Sequence, residues 1–207
     1  MKRFLIVAVL LSCCATPSNR GTFRAAFSHT VDFGAVDDDV MAAALEQFKT
    51  VAESGAKEVT LRFDSPGGSI FLGFHWMRAV EDLKKAHGIH VTCIVDGMAY
   101  SMAAVVLESP VCDLRLATVR STILFHNGAG AVQGTAEQIR NATAFLEAEN
   151  AAMAAMISER IGMPMADYRA KIATGDWVMP AQDALTAHVL DGIAVPGDIE
   201  PPATASL

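Results

Sequence analysis

Positive charge is scarce in this 207-residue sequence: 16 Lys and Arg stand against 23 Asp and Glu, for a net charge of −7 with histidine neutral. A nucleic-acid partner needs clustered cations to neutralise phosphates, so that class is excluded. Metal-ligand spacing is missing as well. The folded body holds no Cys-x-x-Cys or His-x-x-x-His, and neither a metal site nor any other cofactor is expected. No internal repeat or long low-complexity tract occurs, which excludes solenoids and fibrous arrays. Long apolar runs are short too: the N-terminal one, Phe4 to Leu11, has eight residues, well below the ~20 that a spanning helix needs.

What is present suits one globular domain with a sizeable core, since 52% of the residues are hydrophobic and only 19% charged. The opening "MKRFLIVAVLLSCCATPS" joins a basic start to a short apolar stretch and small residues, the pattern of an export signal. Two exits fit it. Leu10-Leu11-Ser12-Cys13 resembles a bacterial lipobox, with Cys13 lipidated and anchored to a membrane, whereas Cys13-x-Ala15 offers plain cleavage. Either route predicts a periplasmic or lipid-anchored protein at the cell envelope. The expected organisation is a leader and short linker over 1–21, a domain over 22–195 and a disordered Pro-rich tail over 196–207.

Cysteine is scarce, with four in the chain, and Cys13 and Cys14 belong to the leader region. Cys93 and Cys112 remain. In an oxidising compartment they are a candidate disulfide, and as buried thiols they would serve equally as small hydrophobes.

The body alternates strand and helix signals. "TFRAAFSHTVDF" reads as a strand, "DDVMAAALEQFKTVAESG" as a helix opened by Asp and closed by Gly, and "KEVTLRFDS" as a strand. Helix "SIFLGFHWMRAVEDLKKAHG", strand "IHVTCIVDG", helix "SMAAVVLES" and strands across "DLRLATVRSTILFHN" follow. A long amphipathic helix from Thr135 to Ile161 carries a possible capping box at Thr135 and Gln138. This alternation predicts an α/β fold of repeated βα units around a largely parallel sheet. Functional loops then belong at the C-terminal ends of the strands.

Two such ends carry chemistry. In "FDSPGGS" the glycines permit close backbone approach, and free amides at a helix start attract negative charge. In "DGMAYSMAA" Ser101 stands at a helix start beside the Met102 amide. A serine there can cap the helix or act as a nucleophile, and the second role needs a base and an oxyanion site.

In order along the chain, "SPGGS", "GMAYSMAA", "ILFHN" and "GDWVMPAQDAL" are similar to the motifs of the Clp protease proteolytic subunit family, serine peptidases of the crotonase-like superfamily. The similarity runs from about Thr22 to Ile193. It implies that Ser101 is the nucleophile, His126 the base and Asp176 the acid of a triad. It further implies oxyanion amides at Gly68 and Met102, and a protruding handle over Gly134 to Arg160 used in homo-oligomer contacts. The chemistry is coherent: a serine hydroxyl needs an imidazole to take its proton, and the imidazole needs a carboxylate to fix its tautomer. The other histidines, His29, His75, His87, His90 and His188, read as structural or solvated.

The chain departs from the family pattern at three places. Tyr100 stands where Ala is usual, a bulky neighbour expected to narrow the pocket beside Ser101. Asn127-Gly128 replaces Gln-Pro after the histidine, which should loosen the substrate-side strand. His188 replaces a Gly, so the closing helix must end without the residue best suited to a left-handed cap.

Three other classes compete with this reading. A signal-peptide-peptidase-like enzyme uses a Ser–Lys pair, and no lysine occurs between Lys85 and Lys171. A crotonase-type acyl-CoA enzyme has no use for all three triad residues, and an exported protein would not meet CoA. A silent binding or assembly module remains. The expectation is a serine endopeptidase acting on peptides or unfolded segments, as a homo-oligomer without an ATPase partner, because an exported protein lacks ATP.

Overall fold

The structure is a computed structural model describing residues 29–194. The expected leader, Cys13, the part of the expected first strand before residue 29 and the tail after residue 194 lie outside the described residues.

Three parallel strands form the spine: β1 (Thr30–Phe33), β2 (Glu58–Ser65) and β3 (His90–Tyr100). Parallel strands covered on both faces read as continuous apolar runs, and Val91 to Val95 of β3 are all buried. Two helices follow β1 and β2 in turn. Helix α1 (Asp38–Glu53) opens on Asp37, whose carboxylate accepts the Val40 N–H at 2.9 Å. Helix α2 (Ile70–His87) opens on Ser69 and closes on Gly88 in the left-handed conformation, φ 63°. Between sheet and helices, Phe33 stacks on Phe63 with centroids 4.6 Å apart and meets Trp76 edge-on at 4.9 Å.

Strand β3 runs three residues past the expected end at Gly97, because its two halves serve different partners. Thr92 to Val95 pair with β4 (Leu114–Thr118), and Met98 to Tyr100 pair with β5 (Thr122–Phe125). Between the halves the ladder with β2 slips: the step from Phe63 to Ser65 spans Val95 to Ala99 on β3. Gly97 lies in this bulge at φ 126°, with Asp64 Oδ1 2.4 Å from where a Cβ would stand. The main sheet then reads β1-β2-β3-β4-β7, with β7 being Gly192–Ala194. A branch runs from β3 through β5 to antiparallel β6 (Trp177–Pro180). The fold is therefore mixed α/β with a mostly parallel sheet.

Helix α3 (Met102–Leu107) follows β3 and is buried along its whole length. Helix α4 (Ala136–Ile161) starts on the full capping box of Thr135 and Gln138. Its first part is exposed, and its last turns bury Met153, Ile157 and Ile161. Helix α5 (Met165–Ile172) was not expected, although Met165, Tyr168 and Ile172 recur at three- and four-residue spacing. Helix α6 (Ala181–Thr186) ends in a reciprocal turn in which Val189 N–H donates to Ala184 O and His188 N–H to Leu185 O. The left-handed position in that turn, φ 59°, is His188 itself. It stands where the family resemblance implies a glycine.

Candidate active site

Strand β3 delivers Ser101 into a turn that few side chains accept, at φ 54° and ψ −124°. Such positions cost on the order of 1–3 kcal/mol and persist only where the surroundings impose them. Here Ser101 N–H donates to Leu124 O at 2.9 Å, and Ser101 O accepts the Val105 N–H at 3.2 Å. Gly67, itself at φ 86°, presses on the same turn: a Cβ there would stand 2.4 Å from Tyr100 O and 2.7 Å from Ser101 Cβ. Both glycines make the close approach expected of the Gly-Gly turn, Gly67 to the serine turn and Gly68 to the Val36 backbone, whose O lies 2.4 Å from where a Gly68 Cβ would stand. Ser101 holds the N-cap position of α3, but its side chain makes no capping bond to the helix start. Its Oγ lies 2.6 Å from His126 Nε2 instead.

The opposite side of the histidine is organised by the β5–β6 ladder. Its last register pair is Phe125 with Trp177, so the next residues outward, His126 and Asp176, face each other beyond the ladder's end. Their closest approach, Nδ1 to Oδ1, is 3.6 Å, within ion-pair range and longer than a hydrogen bond. The Asp176 side chain is 55% exposed and that of His126 35%, so water reaches this contact. Beneath it Phe125, Tyr168 and Trp177 form an aromatic cluster with centroids 5.7 to 6.2 Å apart. Lys171 Nζ sits 4.9 Å above the Trp177 ring.

Of the two amides that the family resemblance assigns to an oxyanion site, Met102 N–H directly follows the serine in the chain, and Gly68 follows Gly67, which packs on the serine turn. Met102 N–H opens α3, where first-turn donors have no partner within the helix. Gly68 lies on the neighbouring loop, which is tied down by Val36 N–H to Gly67 O at 2.8 Å and Ser69 N–H to Val36 O at 2.9 Å. Those ties leave the Gly68 N–H itself out. The Met102 side chain fills the space over Gly73 of α2, where a Cβ would meet its Cγ and Cε at 2.4 Å.

The structure gives partners to two of the departures from the family pattern. The Tyr100 hydroxyl is tied to Thr122 Oγ1 at 2.7 Å across the β3–β5 ladder. The segment after His126 is tied rather than loose. Asn127 Nδ2 donates to Ile172 O at 3.4 Å, and Gly128 is held on both sides by the Asn150 amide of α4.

Behind the serine, Cys93 of β3 and Cys112 form a disulfide, with S–S 1.97 Å and Cα atoms 5.5 Å apart. It closes a loop that contains β3's distal half, Ser101 and all of α3. At the far end of α3 sits a charge cluster that sequence reasoning missed. The buried Arg115 guanidinium donates to buried Glu108 and, at 2.7 Å, to Asp191, while Arg160 of α4 donates to Cys112 O at 2.7 Å. Burial pushes the Glu108 carboxyl up to about 8 despite the facing Arg115. Burial also raises Asp191, but hydrogen bonds from the Arg115 side chain and backbone outweigh it and hold that carboxyl below its usual range. No periodicity signals such a cluster, because its members come from four separate segments.

The comparisons with known proteins agree on the family. The Clp protease family model matches residues 28–196. The chain is also similar to the ATP-dependent Clp protease proteolytic subunit of Porphyromonas gingivalis, 29% identical over 137 residues that make up 66% of this chain. The match spans 60% of that relative's length. Matched over most of its length, with the motif order and the parallel α/β sheet in agreement, the chain belongs to the Clp protease family.

Proposed function

We propose that the chain is a serine endopeptidase that hydrolyses peptides or unfolded segments through Ser101, His126 and Asp176. The observation that carries this reading is the 2.6 Å contact between Ser101 Oγ and His126 Nε2, made at a strained turn where the serine is released from any capping duty. His126 takes the hydroxyl proton as Ser101 Oγ attacks the scissile carbonyl, and returns it to the departing amine. The amides of Gly68 and Met102 receive the developing oxyanion. Water then cleaves the acyl-enzyme by the same steps in reverse. Asp176 fixes the His126 tautomer and stabilises the imidazolium; its 3.6 Å separation shortens when substrate excludes water from the half-exposed edge.

The proposal extends to a homo-oligomer acting without an ATP-driven partner in an oxidising compartment, the last point supported by the Cys93–Cys112 disulfide. A serine-directed fluorophosphonate should label the protein, and Ser101→Ala should abolish labelling. Unlabelled wild-type protein, or labelling that survives in Ser101→Ala, refutes the peptidase reading in favour of a binding or assembly module. Light scattering of the purified protein tests the oligomer, and a monomer overturns that part.

A further inference from the structure

Strand β5 ends at Phe125, so the ladder that carries the chain towards His126 stops one residue short of it. The residues that follow need another anchor. Asn150, in the middle of α4, supplies one: its Oδ1 accepts the Gly128 N–H at 2.7 Å, and its Nδ2 donates to Gly128 O at 3.3 Å. A side-chain amide thus imitates a neighbouring strand and pairs both polar groups of one backbone residue. The seat is tight, since a Cβ on Gly128 would lie 2.5 Å from Ile70 Cδ1 and 3.1 Å from Asn150 Oδ1.

This clamp depends on the Asn-Gly pair after His126. A proline at position 128 has no N–H to offer and would fix φ by its ring instead. With glycine at 128, this chain holds the segment by hydrogen bonds from another helix. Asn150 also borders the small space lined by Ser101, His126 and Phe125, with no hydrogen bond to either reactive side chain.

We infer that Asn150 is a positioning residue which, through Gly128, fixes the approach of His126 to Ser101 and makes that approach depend on the seating of α4. The inference rests on the peptidase reading above. A displacement of about 1 Å at such a contact is enough to cost roughly a hundredfold in rate. Because the clamp touches no substrate, its loss should act on kcat and leave KM in place.

The test measures hydrolysis of a fluorogenic peptide and the rate of fluorophosphonate labelling in wild type, Ser101→Ala, Asn150→Ala and Asn150→Asp, each checked by thermal melting. Asn150→Ala should lower kcat and the labelling rate about ten- to a hundredfold with KM within about threefold of wild type. Asn150→Asp keeps the acceptor for Gly128 N–H but loses the donor, and should recover part of the rate. It also serves as the reading if Asn150→Ala does not fold, when it should run slower than wild type at unchanged KM. Wild-type kcat in Asn150→Ala, a fall expressed in KM, or an Asn150→Asp no faster than a folded Asn150→Ala overturns the inference. If Ser101→Ala labels as wild type does, the peptidase reading itself has failed and the inference falls with it. If only the Asn150 variants behave as wild type, the inference fails alone.

Discussion

The two sides of the Ser101–His126 contact are built differently. On the serine side every residue of α3 is buried, a disulfide spans its base, Gly67 presses on the turn and a buried charge cluster grips the far end. On the histidine side the scaffold is a pair of four-residue strands at the edge of the branch, with Val178 51% exposed and Asp176 half in water. The difference separates a strained serine turn, which needs rigid surroundings to hold an unfavourable backbone, from an exposed edge that carries His126 and Asp176; on the peptidase proposal that edge tightens around a substrate.

Substitution at Ser101 should produce the largest effect. Ser101→Ala should lower peptide turnover by at least about a thousandfold. Ser101→Gly should abolish turnover to the same degree while raising stability by about 1 kcal/mol, because glycine accepts the positive φ without strain. Urea unfolding of both variants checks this, and a Gly variant less stable than the Ala variant would show that the turn is not strained.

Asp176→Asn comes next. A contact of 3.6 Å in partial water should contribute less than the serine does, so turnover should fall by about 10²- to 10⁴-fold while the melting temperature stays within about 2 °C. Equal losses from Ser101→Ala and Asp176→Asn would erase the contrast between the two sides.

Replacing Cys93 and Cys112 together by alanine should cost about 3 kcal/mol of stability, the scale for a disulfide closing a loop of this length. The loss should appear in denaturant unfolding. Alkylation that finds two free thiols in the native protein would remove the strut from the comparison.

The smallest effect is a slope with pH. Burial raises Glu108 from 4.5 in the unfolded chain to about 8 in the folded one, so the native state holds that proton over a window where the unfolded state has lost it. Its contribution is therefore complete below pH 4.5 and declines as pH rises towards 8. The stability difference between wild type and Glu108→Gln should shrink in wild type's disfavour across that window. A constant difference would mean that Arg115 keeps Glu108 ionised throughout.

Several elements were legible because their signals are local. Asp37, Ser69 and the Thr135–Gln138 box mark three helix starts through bonds spanning three residues, and Gly88 marks an end through its backbone freedom. The motif order, through its resemblance to the Clp family, likewise points to Ser101, His126 and Asp176 as neighbours. Other features were hidden. Short helix α5 carries only three spaced apolar residues, and β3 outruns its expected end because Met98 to Tyr100 pair with residues 24 positions further on. Asn127-Gly128 looked like slack since the side chain that holds it lies in another helix.

By itself the sequence determined the alternation of strands and helices, the caps, and the candidate residue types, since each depends on contacts within a few positions or on the chemistry of one side chain. Only the tertiary structure decided the rest. The positive φ of Ser101 is imposed by Gly67 and by Leu124 O, the facing of His126 and Asp176 by the antiparallel register of β5 and β6, and the anchoring of Gly128 by Asn150. Each of these joins segments far apart in the chain, whose meeting is settled by which surfaces can be buried together and which backbone groups then find partners.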